Sequence, residues 1–489
     1  MSLFPYQLSY QLKQANNSLK KKPGFITWVV ATMGLTLGAL LCVLTLGYVL
    51  LYKPLPYPDQ ERLTVVDHAF VEKTGKTMFK AFTYPALMAI HSFSAANRTV
   101  FSQTALVSAS QGVLTNHPAL PTVEATYVSP EWFTLLNIPM KLGRAFTSSE
   151  SINNHNPVAV ISHKSWQNEF GATPDILDRK IRFGGVSFKI VGVTAPAFVE
   201  PQVYRVRRQT QLWLPWDFLP HSEVDRKNWG RVLGGRLVGK LANGVTPSQA
   251  EQIITPIVND QWQNAMAGNP RNAGRSVALE LQSFKSVILG DSAQVVYLLL
   301  ASVFGLIVIA TTNITNLFMS RTAQKQRSLS IQAALGAKKR HLFQVLLAES
   351  SLLMFYSLGL ALVVATAGFW LLQQYLHALL PRVEEVSLNA FTLSAAVLIG
   401  SLIALLLAYF GSASINYKAL NTTLQSSGKG TGVQVSKKLR QVLMVSQIAV
   451  ATVLIFVNIS LFKAALASIN APMGFTAKNV QSLTLASAT

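Results

Sequence analysis

RTAQKQRSLSIQAALGAKKRHLFQVLLAE, residues 321–349, is the stretch whose reading decides the fold. It lies between two long apolar runs, with six basic residues before Leu342 and no acid before Glu349. Leu329, Ile331, Leu335 and Leu342 recur at roughly helical spacing, which predicts a short basic helix pinned between two membrane spans. Two roles fit it. One is a positively charged cytoplasmic loop that lies on anionic headgroups and fixes topology. The other is a coupling helix, a rigid lever through which a cytoplasmic partner pushes on the spans. The surroundings decide between them.

Half of the 489 residues are hydrophobic and 13% are charged, about half the charged share of an ordinary soluble protein. Five runs approach or exceed the length of about 20 apolar residues that crosses a bilayer: Phe25–Tyr52, Val295–Phe318, Leu346–Leu372, Phe391–Phe410 and Val442–Leu461. The fold class is therefore a polytopic α-helical membrane protein with a large α+β extracytoplasmic domain. The expected plan is an interfacial helix in 1–24 and a first span in 25–52. An external domain follows in 53–292, then a second span in 293–318 and the basic segment in 319–345. A third span (346–372), a short external loop (373–390) and a fourth span (391–410) come next. A cytoplasmic linker (411–441), a fifth span (442–461) and the start of a second external domain (462–489) complete the plan.

A net charge of +21 first points to nucleic acid, but its distribution excludes that. Segments 1–24, 319–345 and 411–441 carry fifteen basic residues and no carboxylate, and the span count puts all three on one side. The positive-inside rule makes that side the cytoplasm, so the N-terminus is cytoplasmic and residues 53–292 are outside, in the plasma (inner) membrane. The external segment, with 24 basic and 18 acidic residues, has an ordinary balance. The one cysteine, Cys42, lies inside the first span and has no partner for an intrachain disulfide. That span is too long for a cleaved signal core, and Tyr52-Lys53-Pro54 follows it where small residues would be expected, so it reads as an anchor.

Leu8, Leu12 and Leu19 line one face of the first segment before Pro23-Gly24 breaks it, which fits a helix lying in the interface. Gly34 and Gly38 form a G-x-x-x-G spacing that lets two helix backbones approach closely. LLYKPLPYPDQERL (50–63) leaves the membrane as a stiff, proline-set extended segment. In the external domain, Ser129-Pro130 reads as a helix cap with proline at the first position, and Val158–Ile161 as a short buried strand. Lys180–Val193 reads as a hairpin around Gly184-Gly185, and Thr246-Pro247-Ser248-Gln249 as a capping box opening a helix to about Ala265. VQSLTL (480–485) begins to look like a strand where the sequence stops, which suggests that more follows.

No enzyme motif emerges. The sequence has no G-x-x-x-x-G-K-[ST] loop and no G-x-S-x-G elbow, and its eight histidines never fall in paired ligand spacings. Glu349, at the head of the third span, reads as a lone interfacial carboxylate: a helix-end or inter-span hydrogen-bonding group in preference to a proton relay. Arg205, Arg207 and Arg208 read as a solvated basic loop in preference to a grip on lipid or a partner. The spans hold neither the charges nor the broken helices of a secondary transporter.

Several stretches resemble MacB/FtsX-type permeases, the membrane subunits of mechanotransmitting ABC transporters. They are most similar to the duplicated orphan permeases of acidobacterial type. LLYKPLPYPDQERL resembles that group's exit motif. TYVSPEWFTLLNIPMKLGRAFTSSE, PVAVISHKSWQNEFG, KIVGVTAPAFVEPQ and GVTPSQA are similar to the MacB-like periplasmic core domain. TNITNLFMSRTAQKQRSLSIQAALGAKKRHLFQVLLAES looks like the family's second span, coupling segment and third span. QVLMVSQIAVATVLIF followed by APMGFTAKNV resembles the opening of a second repeat.

The resemblance implies a chain made of one repeat and the first span of another. It assigns contact with a separate ABC ATP-binding subunit to Arg321, Lys325, Arg327, Leu335, Gly336, Ala337, Lys338, Lys339 and Arg340. No cofactor is then expected on this chain; ATP and Mg belong to the partner ATPase. Further expected partners are a second permease repeat or chain, membrane lipids, and a periplasmic adaptor or outer-membrane component. The family usually has an acid at Ser328 and a basic residue at Gln332, so docking here departs from the pattern. The implied function is export or extraction of a peptide, antibiotic or lipid-linked substrate. The alternative is a membrane-anchored scaffold or regulator of an envelope enzyme.

Overall fold

A computed structural model describes residues 13–204, 208–272, 274–290, 292–325, 331–332, 337, 339–376, 380–413 and 437–469. It divides into a helical unit, Met1–Lys53 with Asp291–Val480, and a sheet unit built chiefly from Pro54–Gly290. The chain opens with helix α1 (residues 13–20). Then comes α2 (Pro23–Gly47), with Pro23 in its first turn and a closing π turn at Tyr48–Tyr52. Proline there removes an N–H that has no helical partner anyway.

The sheet unit runs β1 (Leu63–Val71), β2 (Thr77–Lys80), α3 (Tyr84–Ala96), β3 (Phe101–Val113), β4 (Thr122–Val128), α4 (Glu131–Leu135) and β5 (Met140–Gly143). It continues with β6 (Val158–Ile161), α5 (His163–Asn168), β7 (Lys180–Phe183), β8 (Val186–Thr194), β9 (Leu212–Pro215), α6 (Glu223–Lys227), β10 (Arg236–Leu241), α7 (Pro247–Met266), β11 (Ser276–Ser283) and α8 (Phe284–Leu289). One mixed sheet orders them β11-β1-β10-β3-β4-β9-β6-β8-β5, with β2 added to β1 and β7 to β8. Its central strands are buried on both faces. Val65, Ala105, Val107, Val160, Trp213 and Val238 enter one core, while Val66, Leu106, Ala159, Ile161, Leu212, Leu214 and Leu237 enter the other. This is the period-two alternation of a strand read out into two apolar layers.

Gly184 and Gly185, at φ +55° and +79°, make the hairpin turn between β7 and β8. Only glycine adopts this backbone at no steric cost. Thr246 and Gln249 form the reciprocal capping box of α7. That helix also closes the sheet edge. Asn259, Thr255 and Glu251 accept from the N–H groups of Val277, Leu279 and Leu281 at 3.0, 3.1 and 2.6 Å. Four helical residues rise about 6 Å and two strand residues about 6.8 Å, so an i, i+4 row can serve alternate amides of an edge strand.

Two local readings are corrected. Ser129 does not cap α4. Its hydroxyl accepts from Leu106 N–H at 3.1 Å, and the residue before the helix is Pro130. Arg208 is not in a solvated loop: it is 8% exposed, pairs with Glu124 at 3.0 Å and donates to Thr126 and Thr210. Arg205 and Arg207 lie outside the described residues. In the exit segment, Leu55 and Tyr57 are buried in the sheet unit's second core, and Tyr57 donates to the Val199 carbonyl at 2.9 Å.

The helical unit resumes with α9 (Ser292–Gln324), α10 (Lys339–Tyr375), α11 (Ala390–Ala413) and α12 (Lys437–Ile469). Among the described residues, four helices are long and apolar enough to cross a membrane: Pro23–Tyr52, Val295–Thr322, Lys339–Tyr375 and Ala390–Ala413. The apolar stretch described within α12 is the shorter Met444–Val457.

Candidate functional site

Helices α2 and α10 approach closely, and glycine allows it. A Cβ added to Gly34 would stand 2.6 Å from Leu360 Cδ2. One added to Gly38 would stand 2.5 Å from Val364 Cβ and 2.9 Å from the Ala361 carbonyl oxygen. One turn further the roles reverse: Gly368 of α10 receives Cys42, with 2.8 Å between a Cβ added there and Sγ. The pairs 34–360, 38–364 and 42–368 advance together by one turn each, so α2 and α10 run parallel and in register. In lipid, where no hydrophobic force pulls helices together, contact this close gives association its dispersion energy.

The other two long helices run against this pair. Gly47, at the end of α2, faces Val296 and Leu300 near the start of α9. Arg321, near the end of α9, lies over the Phe25 ring at 4.7 Å. α11 is likewise antiparallel: Thr45 meets Thr392 at 2.7 Å, Tyr48 stacks on Phe391 at 4.5 Å, and Ser350 donates to the Ala404 carbonyl at 2.9 Å. The starts of α2 and α10 and the end of α9 thus share one end of the bundle. The end of α2 and the start of α9, through which the sheet unit is connected, share the other.

At the first end the charges of the basic segment meet. Lys325 forms an ion pair with Glu349, which is 4% exposed. Lys325 also donates to Ser18 Oγ at 2.6 Å, and Arg321 donates to the Ser18 carbonyl at 3.1 Å. Glu349 is therefore not lone; its partner comes from α9 and it joins two helices. Buried charge is retained only when paired and hydrogen-bonded. Through Ser18 the same cluster holds α1, whose Ala15 and Leu19 are buried. Lys339 and Arg340 begin α10 with exposed side chains, and Ala337 N–H donates to the Gln332 carbonyl at 3.0 Å. Arg327, Leu335, Gly336 and Lys338 lie outside the described residues.

At the opposite end a second clamp forms. Lys53, just past α2, pairs with Glu385 at 2.8 Å. Arg382 reaches Glu385 at 2.7 and 3.0 Å and donates to the Lys53 carbonyl at 3.0 Å. Burial raises the Glu385 carboxyl's pKa, but the Arg382 and Lys53 bonds outweigh burial and hold it below its ordinary value. The loop between α10 and α11 is thus tied to the exit of α2. Ser18, Phe25, Glu349, Gly368, Lys53, Arg382 and Glu385 were not legible as a set. Their only sequence signals are isolated charges and a glycine, whose partners lie far away along the chain. Among the described residues no group of three or more His, Cys, Asp or Glu side chains comes together to hold a metal; the arrangement packs α2 closely along α10, ties the α2 exit to the loop after α10, and ties the end of α9 to the head of α10.

A family model described as the MacB-like periplasmic core domain matches residues 29–257, and one described as the FtsX-like permease C-terminal matches residues 300–424. The chain is 21% identical over 224 residues to the probable syringafactin export ATP-binding/permease protein SyfD of Pseudomonas syringae pv. syringae (strain B728a), covering 46% of this chain and 31% of that protein. It is 24% identical over 228 residues to the macrolide export ATP-binding/permease protein MacB of Pasteurella multocida (strain Pm70), again 46% of this chain and 31% of that one. The chain thus spans about a third of the length of the curated relatives it matches. Among solved structures, the periplasmic region of MacB from Actinobacillus actinomycetemcomitans matches with 13% identity and a TM-score of 0.33, covering 49% of this chain and 95% of that one.

Proposed function

The chain belongs to the MacB/FtsX-type ABC transporter permeases, and from that premise we propose that it works by mechanotransmission. In this reading an ATP-hydrolysing subunit docks on the basic segment 319–345 from the cytoplasm and carries the ATP and Mg. Its stroke displaces the head of α10; α2 moves with α10, and the displacement passes through Lys53 into the proline-set exit and the external domain. The observation that carries this is the parallel, in-register contact of α2 with α10; Lys53–Glu385 ties the exit of α2 to the loop after α10, and Lys325–Glu349 ties the end of α9 to the head of α10. A displacement applied to one member of such a pair has nowhere to dissipate before the exit.

The N-terminus is cytoplasmic in this scheme, in keeping with the basic residues gathered at one end. The relatives named for export of syringafactin and of macrolides support an export role; in this reading the substrate is a peptide, antibiotic or lipid-linked molecule, exported or extracted without passing through the spans. A second permease repeat or chain completes the assembly, and a periplasmic adaptor or outer-membrane component would receive the substrate.

The test is whether ATP hydrolysis by the co-purifying nucleotide-binding subunit responds to candidate substrate. The response is expected. Gly336→Pro, which fixes φ and removes a backbone N–H donor in the basic segment, should abolish that response while the complex still assembles in the membrane. An unaltered response in this variant counts against coupling through the segment. No response in the unaltered complex favours a scaffold.

A further inference from the structure

β3 pairs with β10 over Phe101–Val107 but with β4 only over Val107–Val113. Past Val128 the chain of β4 turns into α4, so among the described residues the first half of β3 has no strand on that side. Leu106 turns both its backbone groups to that edge: its N–H donates to Ser129 Oγ and its carbonyl accepts from Ser129 N–H, each at 3.1 Å. Backbone groups of a strand point to alternate edges residue by residue. Thr104, two residues earlier and 4% exposed, therefore turns its N–H and carbonyl to the same side, where no strand pairs with it. The β11 edge, by contrast, is served amide by amide from α7.

A groove of about 500 Å³ lies along this edge, lined by His91, Arg98, Thr104, Glu131, Thr134 and Thr147 among others. That is within the range of about 300–1,000 Å³ typical of ligand sites. Its walls are fixed. Gln103 donates to Thr134, and His91 Nδ1 bonds Thr104 Oγ1 at 3.0 Å. The Thr147 loop is closed by a capping box with Glu150. Burial raises the Glu150 carboxyl's pKa, yet bonds from Arg144, Thr147 and Ser149 outweigh burial and bring it down to about 2. One group in the groove is unmet: Glu131 Oε2 is buried with no hydrogen-bond partner. Burial holds the neighbouring His91 below its ordinary pKa, against the pull of Glu131.

We propose that this groove is a peptide site. An extended polypeptide segment adds as a strand to the open edge of β3 at Thr104 and places a basic side chain against Glu131. Backbone pairing supplies affinity with little sequence dependence, and the half-buried Glu131 carboxylate supplies the preference. The proposal stands whether or not the chain couples ATP hydrolysis.

The probe is a fluorescein-labelled acetyl-Val-Thr-Lys-Thr-Val-amide, titrated by anisotropy against the full chain in detergent, with empty micelles subtracted. Saturable binding is expected, weakened about tenfold or more when the lysine is replaced by glutamate or by norleucine. N-methylation of the alternate amides that face the edge should abolish it in the unaltered protein. Glu131→Gln should erase the preference for lysine over norleucine while the norleucine peptide binds as before. Absence of saturable binding up to about 1 mM overturns the proposal, as does equal binding of the N-methylated peptide or a lysine preference that survives Glu131→Gln.

Discussion

Replacing Gly38 with leucine should separate α2 from α10 and remove both stability and coupling. The first carbon added would stand 2.5 Å from Val364 Cβ and 2.9 Å from the Ala361 carbonyl oxygen, and the second neighbour is backbone that cannot step aside. The helices must move apart along the whole Gly34–Cys42 seam. Overpacking of this kind costs about 1–3 kcal/mol, more where backbone shifts, which corresponds to a fall in melting temperature of roughly 2–12 °C. Gly359 is the matched control, since a Cβ there meets nothing within 4 Å. Thermal unfolding of both variants in detergent checks this: Gly359→Leu should melt with the parent and Gly38→Leu well below it. Equal melting of the two would mean that the seam carries no stability.

The second large effect is expected at the Lys325–Glu349 pair. Lys325→Met leaves a carboxylate that is 4% exposed without its closest cation, and Glu349→Leu leaves two cations facing each other. Breaking one side of a buried pair costs up to about 3–5 kcal/mol, whereas replacing both sides with apolar groups is often near neutral. The double variant should therefore melt above either single variant, and a double-mutant cycle should give a strongly non-additive coupling. Ser18 is held by the same lysine, so proteolysis ahead of Pro23 should quicken in the single variants. Additive effects of the two substitutions would show that the pair is not a unit.

How much of this was legible depends on the range over which each signal acts. The apolar runs, the glycine pair 184–185 and the Thr246 capping box are decided by neighbours a few residues away, and the structure places a span, a hairpin and a helix start there. The G-x-x-x-G of the first span marked a close approach but could not name the partner, because Leu360, Val364 and Gly368 lie more than 300 residues on. Glu349 read as lone for the same reason: Lys325 is on the preceding helix, and only the antiparallel packing of α9 on α10 brings them together. Arg208 looked like surface because its own segment is basic. What buries it are Glu124 and Thr126 on β4. Ser129 followed by proline carried a strong local cap signal, and a tertiary bond to Leu106 overrode it.

Everything turns on α2 and α10 moving as one body, and the chain carries half of the reagent that tests this. Cys42 is its one cysteine, and a Cβ at Gly368 would lie 2.8 Å from Cys42 Sγ and 3.4 Å from its Cβ, close to the separation of about 3.5–4.5 Å that a disulfide spans. In Gly368→Cys, oxidation should tether the two helices, and reduction should release them. If the pair is a single strut, substrate-stimulated ATP hydrolysis by the assembled complex is the same oxidised and reduced. If oxidation abolishes a stimulation that reduction restores, α2 and α10 must slide or part during the cycle, and transmission through a rigid pair is wrong.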